Sequence, residues 1–89
     1  METIKVYGTL SCPDTAEAIE ELERAWQPYE LIDILASLKN LKAFLNIRDQ
    51  NPGVFAGAVA SGGIGIPAFY TEESGCTLEL SALRLKGEE

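Results

Sequence analysis

Cys12-Pro13-Asp14-Thr15 lies between an alternating run, Ile4-Lys5-Val6-Tyr7, and a segment able to begin a helix. The thiolate is the nucleophilic form of cysteine, and the unpaired N–H groups of a helix start favour it. The chemistry open to such a residue is thiol–disulfide exchange, in which its sulfur attacks one sulfur of a disulfide. Thr15 stands where a second cysteine would complete a CxxC pair, so Cys12 has no local partner with which to close a disulfide. Histidine is absent, which removes Cys-His pairs, serine triads and the usual zinc sites.

The elements that must position Cys12 follow from the apolar spacing. Ile4-Lys5-Val6-Tyr7 reads as a strand, and Pro13 can open a helix because the N–H it lacks is not needed in the first turn. Ala16, Ile19, Leu22, Ala25 and Trp26 fall near one side of that helix, with Pro28 stopping it. Tyr29-Glu30-Leu31-Ile32-Asp33-Ile34 reads as a second strand. Ser37 can cap a second helix carrying Leu38, Leu41, Leu45 and Phe44 towards the core, ended by Pro52. Val54 to Val59 suits a short helix or turn, and Gly62-Gly63 marks a break. Pro67 to Thr71 and Thr77 to Leu80 are expected to form a hairpin around Glu72-Glu73-Ser74-Gly75, with a helical turn from Ala82 to Glu89. The order β-α-β-α-β-β predicts an α/β fold with a central four-stranded mixed sheet. Ligands of such sheets gather beyond the carboxyl ends of the parallel strands, where Cys12 falls.

Composition bounds the function. The 89 residues, 46% hydrophobic and 24% charged, read as one globular domain over 1–89. Seven Lys+Arg against fourteen Asp+Glu, a formal charge of -7, argue against nucleic-acid binding. The glutamates Glu17, Glu20, Glu21 and Glu23 read as a solvated helix face. No run is apolar enough to cross a bilayer, and Met1-Glu2-Thr3 leads straight into the first strand with no secretion signal, so no membrane association and a cytoplasmic location are expected.

Three segments resemble the glutaredoxin family of the thioredoxin-like fold, and its small glutaredoxin-related members above all. They are Val6-Tyr7-Gly8-Thr9-Leu10-Ser11-Cys12-Pro13-Asp14, then Tyr29 to Ile34, then Ile64-Gly65-Ile66-Pro67, and their order spans nearly the whole chain. The resemblance implies a single glutaredoxin-like domain acting as a monothiol thiol–disulfide oxidoreductase, with Cys12 as catalytic nucleophile and glutathione as co-substrate. Its partners would be glutathione or glutathionylated proteins. The resemblance further implies a substrate site lined by Thr9, Ser11, Pro13, Thr15, Ile66 and Pro67, with Pro67 preceded by a cis bond and the Ile66 backbone turned towards the thiol. Thr9 stands where glutaredoxins often carry a lysine, and Leu80-Ser81-Ala82-Leu83 where they carry a Gly-Gly kink and an aspartate.

Two further readings belong to other classes. One is an iron–sulfur cluster carrier in which two chains and two glutathiones supply the thiolates, although Pro13 replaces the glycine that carriers of this kind have after the cysteine. The other is an interaction protein of the same fold without catalysis. Cys76 is expected as a half-buried hairpin residue at the end away from Pro67. Lys39, Lys42 and Arg48 are expected as surface cations, with a carboxylate partner as the alternative.

Overall fold

The computed structural model describes residues 3–83 and residue 85. Strand β1 (Ile4–Gly8) leads to helix α1 (Pro13–Arg24), strand β2 (Tyr29–Asp33), and helices α2 (Leu38–Gln50) and α3 (Pro52–Ala60). Strands β3 (Ala68–Thr71) and β4 (Gly75–Thr77) and a 3-10 turn over Leu80–Ala82 complete it. The four strands form one mixed sheet in the order β2-β1-β3-β4. β1 and β2 run parallel with Ile4 opposite Tyr29 and Gly8 opposite Asp33, while β3 lies antiparallel to β1 with Phe69 opposite Val6. This is an α/β protein.

Alternation along β1 divides the core, because successive side chains of a strand point to opposite faces. Ile4 and Val6 join Phe69 under α1, where Ala18, Ile19 and Leu22 close over them. Tyr7 and Ala68 face the other way and meet Ile34, Phe44 of α2 and Phe55 of α3. The Phe44 ring sits 6.4 Å from that of Tyr7 and 6.0 Å, edge-on, from that of Phe55, distances at which aromatic pairs attract. One helix therefore covers one face of the sheet and two cover the other.

The buried stripe of α1 is Thr15, Ala18, Ile19 and Leu22, spaced i, i+3, i+4, i+7. That corrects the expected face: Ala16 is half-buried, and Trp26 is 81% exposed. The helix ends before Pro28 acts. Ala25 caps it, Trp26 takes a left-handed φ of 56°, the Trp26 N–H donates to the Glu23 carbonyl (3.1 Å) and the Gln27 N–H to the Leu22 carbonyl (3.0 Å). These are the two bonds of a Schellman motif, here with tryptophan where glycine is usual.

Ser37 does cap α2, its hydroxyl accepting the Asn40 N–H at 3.1 Å. The expected core face of α2 is narrower than its leucines suggest: Phe44 is buried and Leu41 half-buried, but Leu38 is 66% exposed and Leu45 is exposed too. A helix that touches the sheet beside a second helix needs only one inward anchor, and Phe44 is large enough to serve. Pro52 both ends α2 and occupies the first turn of α3, so 54–59 is helix.

The hairpin is shifted by two residues from expectation. Thr71 pairs with Gly75, so the second strand is Gly75–Thr77, and Leu78 to Leu80 have left the ladder. The expected helical turn beyond Ala82 is also corrected: Leu83 is extended, and with Leu85 it is buried against the α1 side of the core. The rest of that expected turn, residues 84 and 86–89, lies outside the described residues.

Candidate functional site

Cys12 is the N-cap of α1, half-buried and free, with extended backbone. The turn before it is held internally: the Cys12 N–H donates to the Thr9 carbonyl at 3.0 Å, and the Ser11 N–H approaches the Thr9 hydroxyl at 3.5 Å. The Cys12 carbonyl accepts the Ala16 N–H at 3.0 Å as the first bond of the helix. The first-turn N–H groups of α1 have no partners within the helix, as at any helix start, and form a donor set for an anion at the cap.

Beside Cys12 runs a groove of about 470 Å³. The β1–α1 turn supplies Thr9, Ser11 and Cys12, the end of β2 supplies Ile34 and Leu35, and the segment before β3 supplies Gly63 to Ile66. Its walls are mostly apolar, and Leu35 and Ile64 stand exposed at its rim. The β2 side is locked in place by the Ile34 N–H donating to the Gly8 carbonyl at 2.9 Å and the Leu35 N–H to the Asp33 carboxylate at 2.9 Å.

The opposite wall is built on Gly65. Its φ of +94° is a conformation that side-chain-bearing residues rarely adopt, and a β-carbon there would come within 2.6 Å of the Phe55 ring. The Arg48 guanidinium donates to the Ile64 carbonyl at 3.1 Å, tying this wall to α2. Arg48 is therefore a clamp on the loop backbone. Lys39 and Lys42 are exposed.

Of the residues expected at the site, Thr9, Ser11, Cys12 and Ile66 line this groove. Pro13 is exposed on the first turn of α1 and is not part of the groove wall. Thr15 is 0% exposed and packs inward against Gly8, so its side chain does not reach the groove. The Thr15 hydroxyl has no hydrogen-bond partner among the described residues. Pro67 follows a cis Ile66–Pro67 bond, as expected, and lines an adjoining groove of about 460 Å³ along α1. Gly63 to Ile66 form a wall common to both grooves. Ile34, Leu35, Gly63, Ile64 and Gly65 were not foreseen as site residues, because only the fold brings three such distant segments together.

Cys76 sits in β4 opposite Tyr70, packed on the Tyr7–Phe44 side of the core. Burial pushes its thiol pKa above the ordinary 9.0, so it is held protonated at neutral pH. Burial likewise raises the Tyr7 hydroxyl, with smaller contributions from Cys76, Glu30 and Tyr70.

No protein-family model matches this chain, and no solved structure matches it. A Haemophilus influenzae protein described as "Uncharacterized protein" is 39% identical over 75 residues, which are 84% of this chain and 86% of that relative. The chain belongs to the family of that protein. Identity at this level over most of both lengths makes the α/β architecture a property of the family. Among the described residues of this member, no helix is long and apolar enough to cross a membrane.

Proposed function

We propose that this protein is a monothiol glutaredoxin-like thiol–disulfide oxidoreductase of the thioredoxin-like fold, acting on glutathione mixed disulfides through Cys12. The observation that carries the reading is the half-exposed thiol at the cap of α1, opening into a groove that Ile66 also lines, directly before cis Pro67. The topology supports it as well: a parallel pair joined by α1, followed by an antiparallel hairpin, sets Cys12 beyond the carboxyl end of β1.

In the proposed cycle the Cys12 thiolate attacks the glutathione sulfur of a protein–glutathione disulfide. A bond forms between Cys12 and that sulfur, the original S–S bond breaks, and the protein thiolate leaves and takes a proton from water. A second glutathione thiolate then attacks the glutathione sulfur held on Cys12. Glutathione disulfide departs, Cys12 returns as thiolate, and the substrate protein has been reduced at the expense of one glutathione, the other half of the departing disulfide having come from the substrate. Thr15 makes this a one-cysteine cycle, since Cys12 has no cysteine one helical turn away. Thr9 holds the Cys12 backbone at the cap of α1, and in the proposed complex the Ile66 backbone pairs with the main chain of the bound thiol.

The test is reduction of a glutathionylated peptide by wild type and by Cys12→Ser, with glutathione and a glutathione-disulfide reductase readout. Turnover by wild type that vanishes in the serine variant is expected. Equal rates for the two proteins would overturn the reading.

A further inference from the structure

The two grooves that share the Gly63 to Ile66 wall differ in charge. The one holding Cys12 is lined by apolar side chains, the Thr9 and Ser11 hydroxyls and the thiol, with no ionic group. The adjoining one runs along α1 and carries Asp14, Glu17 and Glu21, over a floor that includes Pro67, Phe69 and Leu80. Spacing of i, i+3, i+7 puts the three carboxylates in one stripe along the helix. Among the described residues neither groove is lined by a lysine or arginine, and the facing segment from Asn51 to Tyr70 contains no charged residue.

Lengths match a peptide. Asp14 and Glu21 are separated by about 10 Å of helix rise, which an extended chain covers in about three residues. A segment whose glutathionylated cysteine is presented to Cys12, and leaves as the thiolate, passes from the apolar groove along the common wall to the acidic stripe. Charge complementarity then selects cations at that distance and turns acidic segments away.

We infer that the protein partner at Cys12 is an extended segment whose cysteine neighbours an apolar residue and has lysines or arginines within about four residues of it. This rests on the thiol-exchange reading of Cys12 and names its substrate class. The apolar residue fills the groove between Leu35 and Ile64, and the basic side chains reach Glu17 and Glu21.

The experiment compares glutathionylated peptides of one length, differing only in lysines or glutamates placed on both sides of an apolar-Cys pair, with the small mixed disulfide of glutathione and 2-mercaptoethanol. At low salt, kcat/KM for the basic peptide is expected to exceed that for the acidic one by about tenfold or more, and the ratio to collapse at about 0.5 M salt. The Glu17→Lys/Glu21→Lys double variant is expected to invert the ratio. Turnover of the small disulfide with no discrimination between the peptides overturns the inference and leaves the activity standing. Failure on the small disulfide sinks the activity instead. In either case anisotropy of fluorescent peptides with Ala for Cys, on wild type, reads the charge preference without turnover: tighter binding of the basic peptide by about tenfold supports the inference, and equal affinities overturn it.

Discussion

Thr15 lies directly against Gly8: a β-carbon on residue 8 would stand 2.6 Å from the Thr15 hydroxyl and 2.9 Å from its methyl group. Gly8 is the last residue of β1 and Thr15 belongs to the first turns of α1. Their contact sets how closely the helix that begins at Cys12 approaches the sheet. Gly8→Ala is expected to lower stability by about 1–3 kcal/mol, because a β-branched side chain buried in a helix has little freedom to swing aside. Adding Thr15→Ala should recover part of that loss. Urea unfolding of the two single variants and the double variant measures the coupling, and strictly additive losses would contradict the contact.

Thr15→Val replaces an unpartnered buried hydroxyl with a methyl group of nearly the same shape. A buried polar group without a hydrogen bond costs about 1–3 kcal/mol, so the substitution is expected to stabilise by about 1 kcal/mol. A lower denaturation midpoint for the valine variant would mean that the hydroxyl has a partner.

Trp26 holds a left-handed conformation while exposing most of its side chain. That conformation costs an L-residue about 1–2 kcal/mol, of which glycine returns part as chain entropy in the unfolded state. Trp26→Gly is therefore expected to raise stability by up to about 1 kcal/mol, read from urea midpoints by circular dichroism because the variant loses the chain's one tryptophan. A loss of stability would show that the indole contributes packing.

Gly65→Ala meets both a positive φ and the Phe55 ring. The expected loss is about 2–4 kcal/mol, and because Ile64 and Ile66 flank it in the groove wall, the proposed exchange at Cys12 should weaken as well. Thiol-exchange rates measured well below the variant's melting temperature separate the two effects. An unchanged rate would remove this wall from the reaction.

Stability should fall at alkaline pH. Cys76 and Tyr7 both have folded pKa values raised above 9.0 and 10.0, burial being the largest cause in each, so the unfolded chain loses these protons first. Their contribution is complete below pH about 9 and is lost as pH climbs through the raised folded values. Cys76→Ala should flatten the start of that decline in urea midpoints taken across this range. An equally steep decline in the variant would assign it to other groups.

Much of this arrangement was legible in the residues. The strand runs of β1 and β2, proline in the first turn of α1 and the serine cap of α2 are local signals, and the structure carries each of them. Trp26 was misread as core because a left-handed cap rotates the chain away from the helical period that made it look inward. α3 has no charged residue and no apolar period, so its helix could be read only as one option. Cys12, Thr9, Ser11 and Ile66 were visible as a constellation, whereas Ile34, Leu35 and the Arg48 clamp on Ile64 depend on tertiary approach.

The strand order leaves β2 and β4 as the outer edges of the sheet. Their unpaired backbone groups are the part of a β-protein most prone to recruit other chains. β4 offers three residues, and β2 follows directly on Pro28 and carries Glu30 and Asp33. Short length on one side and proline with negative charge on the other are both barriers to strand addition. Among the described residues both edges of the folded sheet thus carry features that oppose edge-to-edge growth.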